Sequence, residues 1–100
     1  MMPAVREYLI RKVAGHAWPA LHDDRLAEVL QPRGWGCAPD PGWGDHSVRC
    51  GSAVVSYSAE DVGWHVVVDG ELSGADTWVE QVTRQVAAAA GEDCEWVELT

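Results

Sequence analysis

Residues 53–70 of this chain read AVVSYSAEDVGWHVVVDG. Every second residue is apolar over 53–58 and again over 63–69, which is the period of a β-strand, and the three consecutive valines at 66–68 suggest cover on both faces there. The four residues between these runs are expected to turn the chain. A shorter run with the same alternation, Ser47–Cys50, precedes them, and a last run, Cys94–Leu99, closes the chain. The pattern predicts three consecutive strands and a fourth strand at the C-terminus.

Residues 73–91 read SGADTWVEQVTRQVAAAAG and separate the third predicted strand from the fourth. Apolar residues recur there every three or four positions, as on the buried face of a helix. They are Ala75, Val79, Val82, Val86 and Ala89. We expect a long helix over 74–90 that Gly91 ends, because glycine readily adopts the left-handed conformation found after many helices. A helix between two strands predicts a crossover that leaves the fourth strand parallel to the third.

The N-terminal third of the chain suggests two further helices. Over residues 4–14, four apolar residues fall at helical spacing: Val5, Tyr8, Leu9 and Val13. A second helix is expected to begin at Pro19 or Asp23 and to end at Gln31, since the residue before a proline is pushed out of the helical region. The predicted fold is therefore a single α+β domain over residues 1–100, in the order α-α-β-β-β-α-β. Two N-terminal helices would precede a mixed sheet of three to four strands with one long helix packed on a face.

The net charge of −9 is concentrated in one part of the chain. Residues 1–33 are nearly neutral, whereas residues 34–100 carry twelve acidic and two basic side chains. Proteins that contact nucleic acid directly need a positive surface, so this balance argues against direct nucleic-acid binding. It favours a basic protein partner, with simple solubility as the alternative interpretation of the charge.

The residue usage predicts a protein of the reducing cytoplasm with no cofactor. Arg6, Glu7, Arg11 and Lys12 interrupt the only stretch that could resemble a signal peptide, and no apolar run is long enough to span a membrane. Three cysteines cannot all pair with one another, so reduced thiols are expected. The scarcity of residues with AT-rich codons, among them Phe and Asn, indicates a GC-rich bacterial or phage genome.

The sequence contains candidate residues for a metal site and for an enzyme active site. Cys37, His46, Cys50 and Cys94 have the composition of a zinc site, but the close pair of cysteines that zinc sites use is missing. We therefore predict no bound metal.

For catalysis, the candidates are the stretch at 22–24, the pair His65 and Asp69, and a cysteine beside His46. His22, Asp23 and Asp24 lack the additional ligands that a metal-dependent hydrolase requires. His65 and Asp69 would lie about 13 Å apart on one strand, too far for a hydrogen-bonded pair. We predict no catalytic residues.

Residues 32–46, PRGWGCAPDPGWGDH, form the candidate binding site. An aperiodic connection of this length is uncommon in a compact domain and often functional. Trp35 and Trp43 are each flanked by glycines, and Asp40 and Asp45 lie close by in the chain. Tryptophan is enriched among the residues that dominate interface energetics, so these four residues are the predicted partner-binding set. In the alternative, the indoles fold back and cover the core.

These observations lead to three functional hypotheses. The first is a small acidic cytosolic module that binds a basic protein, in the manner of inhibitor, immunity or antitoxin proteins. The second is a structural or assembly accessory protein of a phage or multiprotein bacterial system. The third is a small enzyme with an unrecognised site. Glu95 and Glu98 on the last strand could guard a sheet edge, or the same strand could pair with a second copy in a homodimer.

Overall fold

A computed structural model describes residues 5–40 and 44–99 of the chain. Six strands and two α-helices follow one another, with a single 3-10 turn at Asp23–Arg25 before the first helix. The strands are β1 (Val5–Lys12), β2 (Ala38–Pro39), β3 (His46–Cys50), β4 (Ala53–Glu60), β5 (Gly63–Asp69) and β6 (Cys94–Glu98). The helices are α1 (Leu26–Val29) and α2 (Ala75–Ala90).

All six strands form one sheet in the order β2-β3-β4-β5-β1-β6, and every neighbouring pair is antiparallel. The α+β class is confirmed, but the predicted mixed sheet of three to four strands is wrong. β1 inserts between β5 and β6, so the last strand does not pair with the third predicted strand. Both β5 and β6 are antiparallel to β1, and they therefore run in the same direction with β1 between them.

The first predicted helix is the main error, because residues 5–12 form β1. Tyr8, Leu9 and Ile10 are all buried, at 0%, 7% and 0% exposure. Three consecutive buried residues need apolar surroundings on opposite sides of the backbone, which a central strand offers through its two faces. The spacing of apolar residues over 5–13 fits a helix as well, so periodicity alone misassigned the segment.

The second predicted helix is reduced to the 3-10 turn and the four residues of α1. Its apolar stripe is nevertheless buried as expected, with Leu26, Val29 and Leu30 at 8%, 3% and 0% exposure. The Gln85 side chain on α2 donates hydrogen bonds to the carbonyl oxygens of Val29 and Gln31, at 2.9 and 3.1 Å. A side chain of α2 thus satisfies backbone carbonyls that a longer helix would have bonded internally.

The long helix agrees with the sequence prediction. α2 begins one residue later than expected, and Gly91 ends it with φ of 71° and an N–H bond to the carbonyl of Ala87. Its buried residues include Val79, Val82 and Val86. Gly74 is the N-cap residue, and no side chain makes a cap hydrogen bond at this end of the helix.

The two faces of the sheet differ in what covers them. Both helices pack on one face, where the largest buried side chains include Trp64, Tyr8 and Tyr57, and where the Trp78 indole N–H of α2 donates to the Tyr57 hydroxyl at 3.1 Å. We call this the helix face. Alternation along the strands places the other half of the side chains on the opposite face, which neither helix contacts and which we call the open face. Within the described residues, no helix is both long and apolar enough to cross a bilayer.

Candidate partner-binding surface

The centre of the open face consists of apolar side chains, among them Leu9 and Val97, and of two serines, Ser47 and Ser56. Leu9 of β1 is paired with His65 of β5 on one side and with Val97 of β6 on the other. In the neighbouring row, Ser47 and Ser56 share a hydrogen bond of 3.1 Å between their hydroxyls. Both serines are nearly inaccessible as residues, which indicates close packing of side chains across this part of the face.

Acidic side chains surround that centre. The strand register, together with backbone bonds that extend it by one residue at Asp40 and Asp93, assigns six carboxylates to the open face. They are Glu7, Asp40, Glu60, Asp69, Asp93 and Glu95. The same register gives the face two guanidinium groups, Arg11 and Arg49, which pair with Glu95 at 2.8 Å and Asp40 at 2.9 Å. The open face is therefore negative even after its internal ion pairs are counted.

The ion pairs of the whole described chain show the same imbalance. Six of the seven cations pair with a carboxylate within 4 Å, and Arg33 is the exception in the described part. Among residues 5–40 and 44–99, eight carboxylates lie within 4 Å of no Arg, Lys or His nitrogen. They are Asp23, Asp24, Asp45, Asp61, Asp69, Glu71, Asp93 and Glu98. These unpaired carboxylates provide the negative potential that a basic surface would meet.

Two of the four predicted binding residues border the open face. The Asp40 carboxylate accepts the Arg49 bond just described, and its backbone N–H donates to the carbonyl of Ser47, extending the pairing of β2 with β3. Asp45 precedes β3, and its carboxylate accepts the backbone N–H of Ala59 at 2.7 Å. Both aspartates thus help to fix the β3 side of the sheet as well as adding charge to it.

Trp35 lies against α2 and not on the open face. Its ring packs edge-on against Trp78 of α2 with centroids 5.3 Å apart, and its indole N–H donates to Gln81 at 3.2 Å. The structure therefore does not bring Trp35 together with Asp40 and Asp45, and its contacts match the alternative in which the indole covers the core. Trp43, the fourth predicted residue, lies outside the described residues.

Cys37 and Cys50 form a disulfide, which corrects the expectation of three reduced thiols. Continuing the register of β2 and β3 by one residue places the two cysteines directly opposite each other, with Cα atoms 4.5 Å apart. Closing a loop of this size stabilises a fold by about 3 kcal/mol. The bond anchors the short β2 strand to β3, and it removes two of the four residues considered for zinc. Cys94 is the free thiol.

The residues considered for catalysis make contacts of other kinds. His65 lies 2.8 Å from the Glu7 carboxylate across the β1–β5 pair, and 3.9 Å from Glu60. The disulfide removes the thiols of Cys37 and Cys50 as nucleophiles. Burial, reinforced by Glu92, raises the pKa of the Cys94 thiol and keeps it in its less reactive neutral form. In the described part of the chain, these side chains thus take part in ion pairs and a disulfide.

Sequence reasoning missed the open face because it misassigned β1. Glu7, Leu9 and Arg11 belong to this face only when residues 5–12 are a strand. The usable signal was their alternation with Tyr8 and Ile10, two residue types that favour strands.

Comparison of the chain with models of protein families, with curated proteins and with solved structures finds no match.

Proposed function

We propose that this protein is a small protein-binding module that captures a basic partner on its open face. The observation that carries the proposal is the surplus of carboxylates around an apolar and hydroxylic centre on a face that neither helix covers. Such a surface supplies long-range attraction from its charges and short-range contact from its centre. The inhibitor, immunity and antitoxin type of function fits this chemistry, because those proteins neutralise a partner by covering it.

The proposed surface includes Asp40 and Asp45 and leaves out Trp35, whose ring is engaged with α2. It involves no catalytic residue, cofactor or direct contact with nucleic acid, whose phosphates the carboxylates would repel. The predicted role as an assembly accessory would require the chain to associate with itself, and the carboxylates on this face oppose that association.

The test compares two triple variants that change the net charge equally. The first, Asp45→Asn, Asp69→Asn and Asp93→Asn, neutralises unpaired carboxylates on or beside the open face. The control, Asp23→Asn, Asp24→Asn and Glu71→Gln, neutralises unpaired carboxylates elsewhere. Each tagged protein is used for affinity capture from a lysate of the source cells at low and at moderate salt.

We expect the parent and the control to retain the same basic protein, with less of it at the higher salt. The open-face variant should retain it poorly. Equal loss in both variants would mean that only total charge matters. Retention of nucleic acid or of an acidic protein would contradict the proposal.

The predicted cytoplasmic location has a separate test, because disulfides are rare in the cytosol. Rapid alkylation of thiols at the moment of lysis, followed by mass spectrometry, counts the reduced cysteines. A chain that resides in a reducing compartment should be modified at Cys37, Cys50 and Cys94. Modification at Cys94 alone would place the folded protein in an oxidising compartment and correct the prediction.

A further inference from the structure

The two edges of the sheet are protected to different degrees. The β2 edge has only two paired residues, one of them Pro39, which has no backbone N–H to offer an incoming strand. The Cys37–Cys50 disulfide also fixes this edge to β3. Short length and proline are common devices by which proteins prevent unwanted pairing at a sheet edge. β6, at the other edge, has five residues and no proline.

The register shows which backbone groups of β6 are free to pair. The N–H of Leu99 donates to the carbonyl of Glu7, and the N–H of Val13 donates to the carbonyl of Asp93. In an antiparallel pair, residues that bond to the neighbouring strand alternate with residues that do not. Cys94, Trp96 and Glu98 are therefore the residues whose N–H and C=O groups point away from β1. β6 is the last strand of the described sheet, so these groups have no strand partner there.

A groove between β6 and α2 runs beside this edge. It has a volume of about 600 Å³, and its lining includes Trp96 and Cys94 from β6 and Thr83 and Ala87 from α2. The Trp96 indole is fixed in place, because its N–H donates to Glu80 at 2.7 Å and its ring packs edge-on against Tyr8. An added strand would direct every second side chain towards this groove.

The charges along β6 select between possible occupants. Asp93 and Glu98 have no ion pair within 4 Å among residues 5–40 and 44–99, whereas Glu80, Glu92 and Glu95 each share one with a basic residue of this chain. Pairing β6 with a second copy would bring the acidic residues of two identical strands to one edge without adding a surplus cation, and this repulsion disfavours a dimer there. A strand carrying lysine or arginine would meet opposite charge.

From these observations we infer that the β6 edge binds an extended basic segment of the partner as a seventh strand. Main-chain hydrogen bonds to Cys94, Trp96 and Glu98 would hold the segment, and the β6–α2 groove would receive its alternate side chains. The inference rests on the proposed function for the basic character of the partner. It adds a second contact, at the sheet edge between the open face and α2, and the conformation that the partner adopts there.

The probe is a short synthetic peptide of alternating lysine and valine, compared with a peptide in which proline replaces each valine. The readout is amide hydrogen exchange of the full chain, measured residue by residue by NMR. We expect the lysine–valine peptide to slow exchange at Cys94, Trp96 and Glu98 by about tenfold or more. Glu95 and Val97 already bond to β1 and should change little. The proline peptide lacks a backbone N–H at every second position and cannot pair as a strand, so it should not protect the edge.

Two variants at one position separate backbone pairing from charge. Glu98→Pro removes an outward N–H that bonds to no strand of the described chain, and Glu98→Gln removes the same charge while keeping the N–H. Glu98→Pro should weaken binding of the lysine–valine peptide about tenfold relative to Glu98→Gln. The melting temperatures of the two variants should agree within a few degrees, which shows that both are folded.

The outcomes distinguish this inference from the proposed function. Equal binding by the two variants, or protection confined to the open face, would overturn the edge site while a basic ligand still binds. Absence of protection at the three amides would overturn it as well. If these amides were protected in the protein alone, and if that protection increased with protein concentration, the occupant would be a second copy of the chain. The proposed function has its own test: if the parent protein captured no basic protein from the source-cell lysate, the basic partner itself would be contradicted.

Discussion

The same six strands produce two faces with different chemistry. On the helix face, Tyr57 and Val66 are fully buried in the core, while Ser56 and Val67, their chain neighbours, belong to the open face with its acidic border. Because successive side chains of a strand point in opposite directions, one residue step separates the two environments. The comparison teaches that the core and the acidic surface use alternate residues of one strand, so substitutions at neighbouring positions should differ sharply in their effect on stability.

The largest expected difference comes from placing the same charge on either side of β5. Val66→Lys would put an ammonium group among fully buried apolar side chains, with no partner, and should cost about 4 kcal/mol or more. Val67→Lys would put it on the open face, opposite Glu7, where its alkyl chain can lie along the sheet. The free energy of unfolding of this variant should lie within about 1 kcal/mol of the parent value. Thermal and denaturant unfolding would measure both values, and similar losses in the two variants would contradict the assignment of the faces.

A smaller difference is expected between two hydrogen-bonding residues of β4. Tyr57→Phe leaves the Trp78 indole N–H without its partner inside the core, and an unpaired buried donor costs about 1–3 kcal/mol. Ser56→Ala removes the partner of the nearly inaccessible Ser47 hydroxyl and should cost about 1 kcal/mol, the lower end of that range, because the two serines keep a few per cent of their surface whereas Tyr57 has none. The measurement is again equilibrium unfolding in denaturant. A larger loss for Ser56→Ala than for Tyr57→Phe would mean that the serine pair lies in the drier of the two environments.

The difference between the faces also explains how far the sequence could predict the fold. β4, β5 and α2 were found because each has one clear period and local turn signals. β1 was misassigned because its neighbours, β5 and β6, are distant in sequence, and only pairing on both sides makes three consecutive buried residues reasonable. The length of α1 was overestimated, because the chain leaves the helix early and its free carbonyl groups accept hydrogen bonds from Gln85, which is distant in sequence.

The candidate site was predictable in its charge but not in its layout. The acidic excess of residues 34–100 was evident in the sequence, and Asp40 and Asp45 do border the open face. Which carboxylates share that face depends on strand register, and register here depends on β1. The contact of Trp35 with Trp78 could not be predicted from the sequence, because it joins residues more than forty positions apart in the chain.

The smallest predicted effect concerns His46, which borders the helix face. Its ring stacks on Tyr57, its Nε2 atom is buried without a hydrogen-bond partner in the described residues, and burial lowers its pKa. Because the unfolded chain then binds the proton more tightly than the folded one, the stability contributed by neutral His46 is present above the ordinary histidine pKa of about 6.5. That contribution is lost as the pH falls from there through the lowered value.

The variant His46→Phe removes this titration and keeps an aromatic ring against Tyr57. We expect the melting temperature of the parent to fall more than that of His46→Phe between pH 7.5 and pH 5, as measured by circular dichroism. The side chain is only partly enclosed, so the difference should stay below the roughly 4–8 °C that 1 kcal/mol produces in a domain of this size. His22→Gln is the control, because His22 is exposed and makes no side-chain cap bond, and it should follow the parent. Parallel curves for the parent and His46→Phe would show that the ring gains its proton without cost, and that this border of the helix face is as open to water as the face opposite.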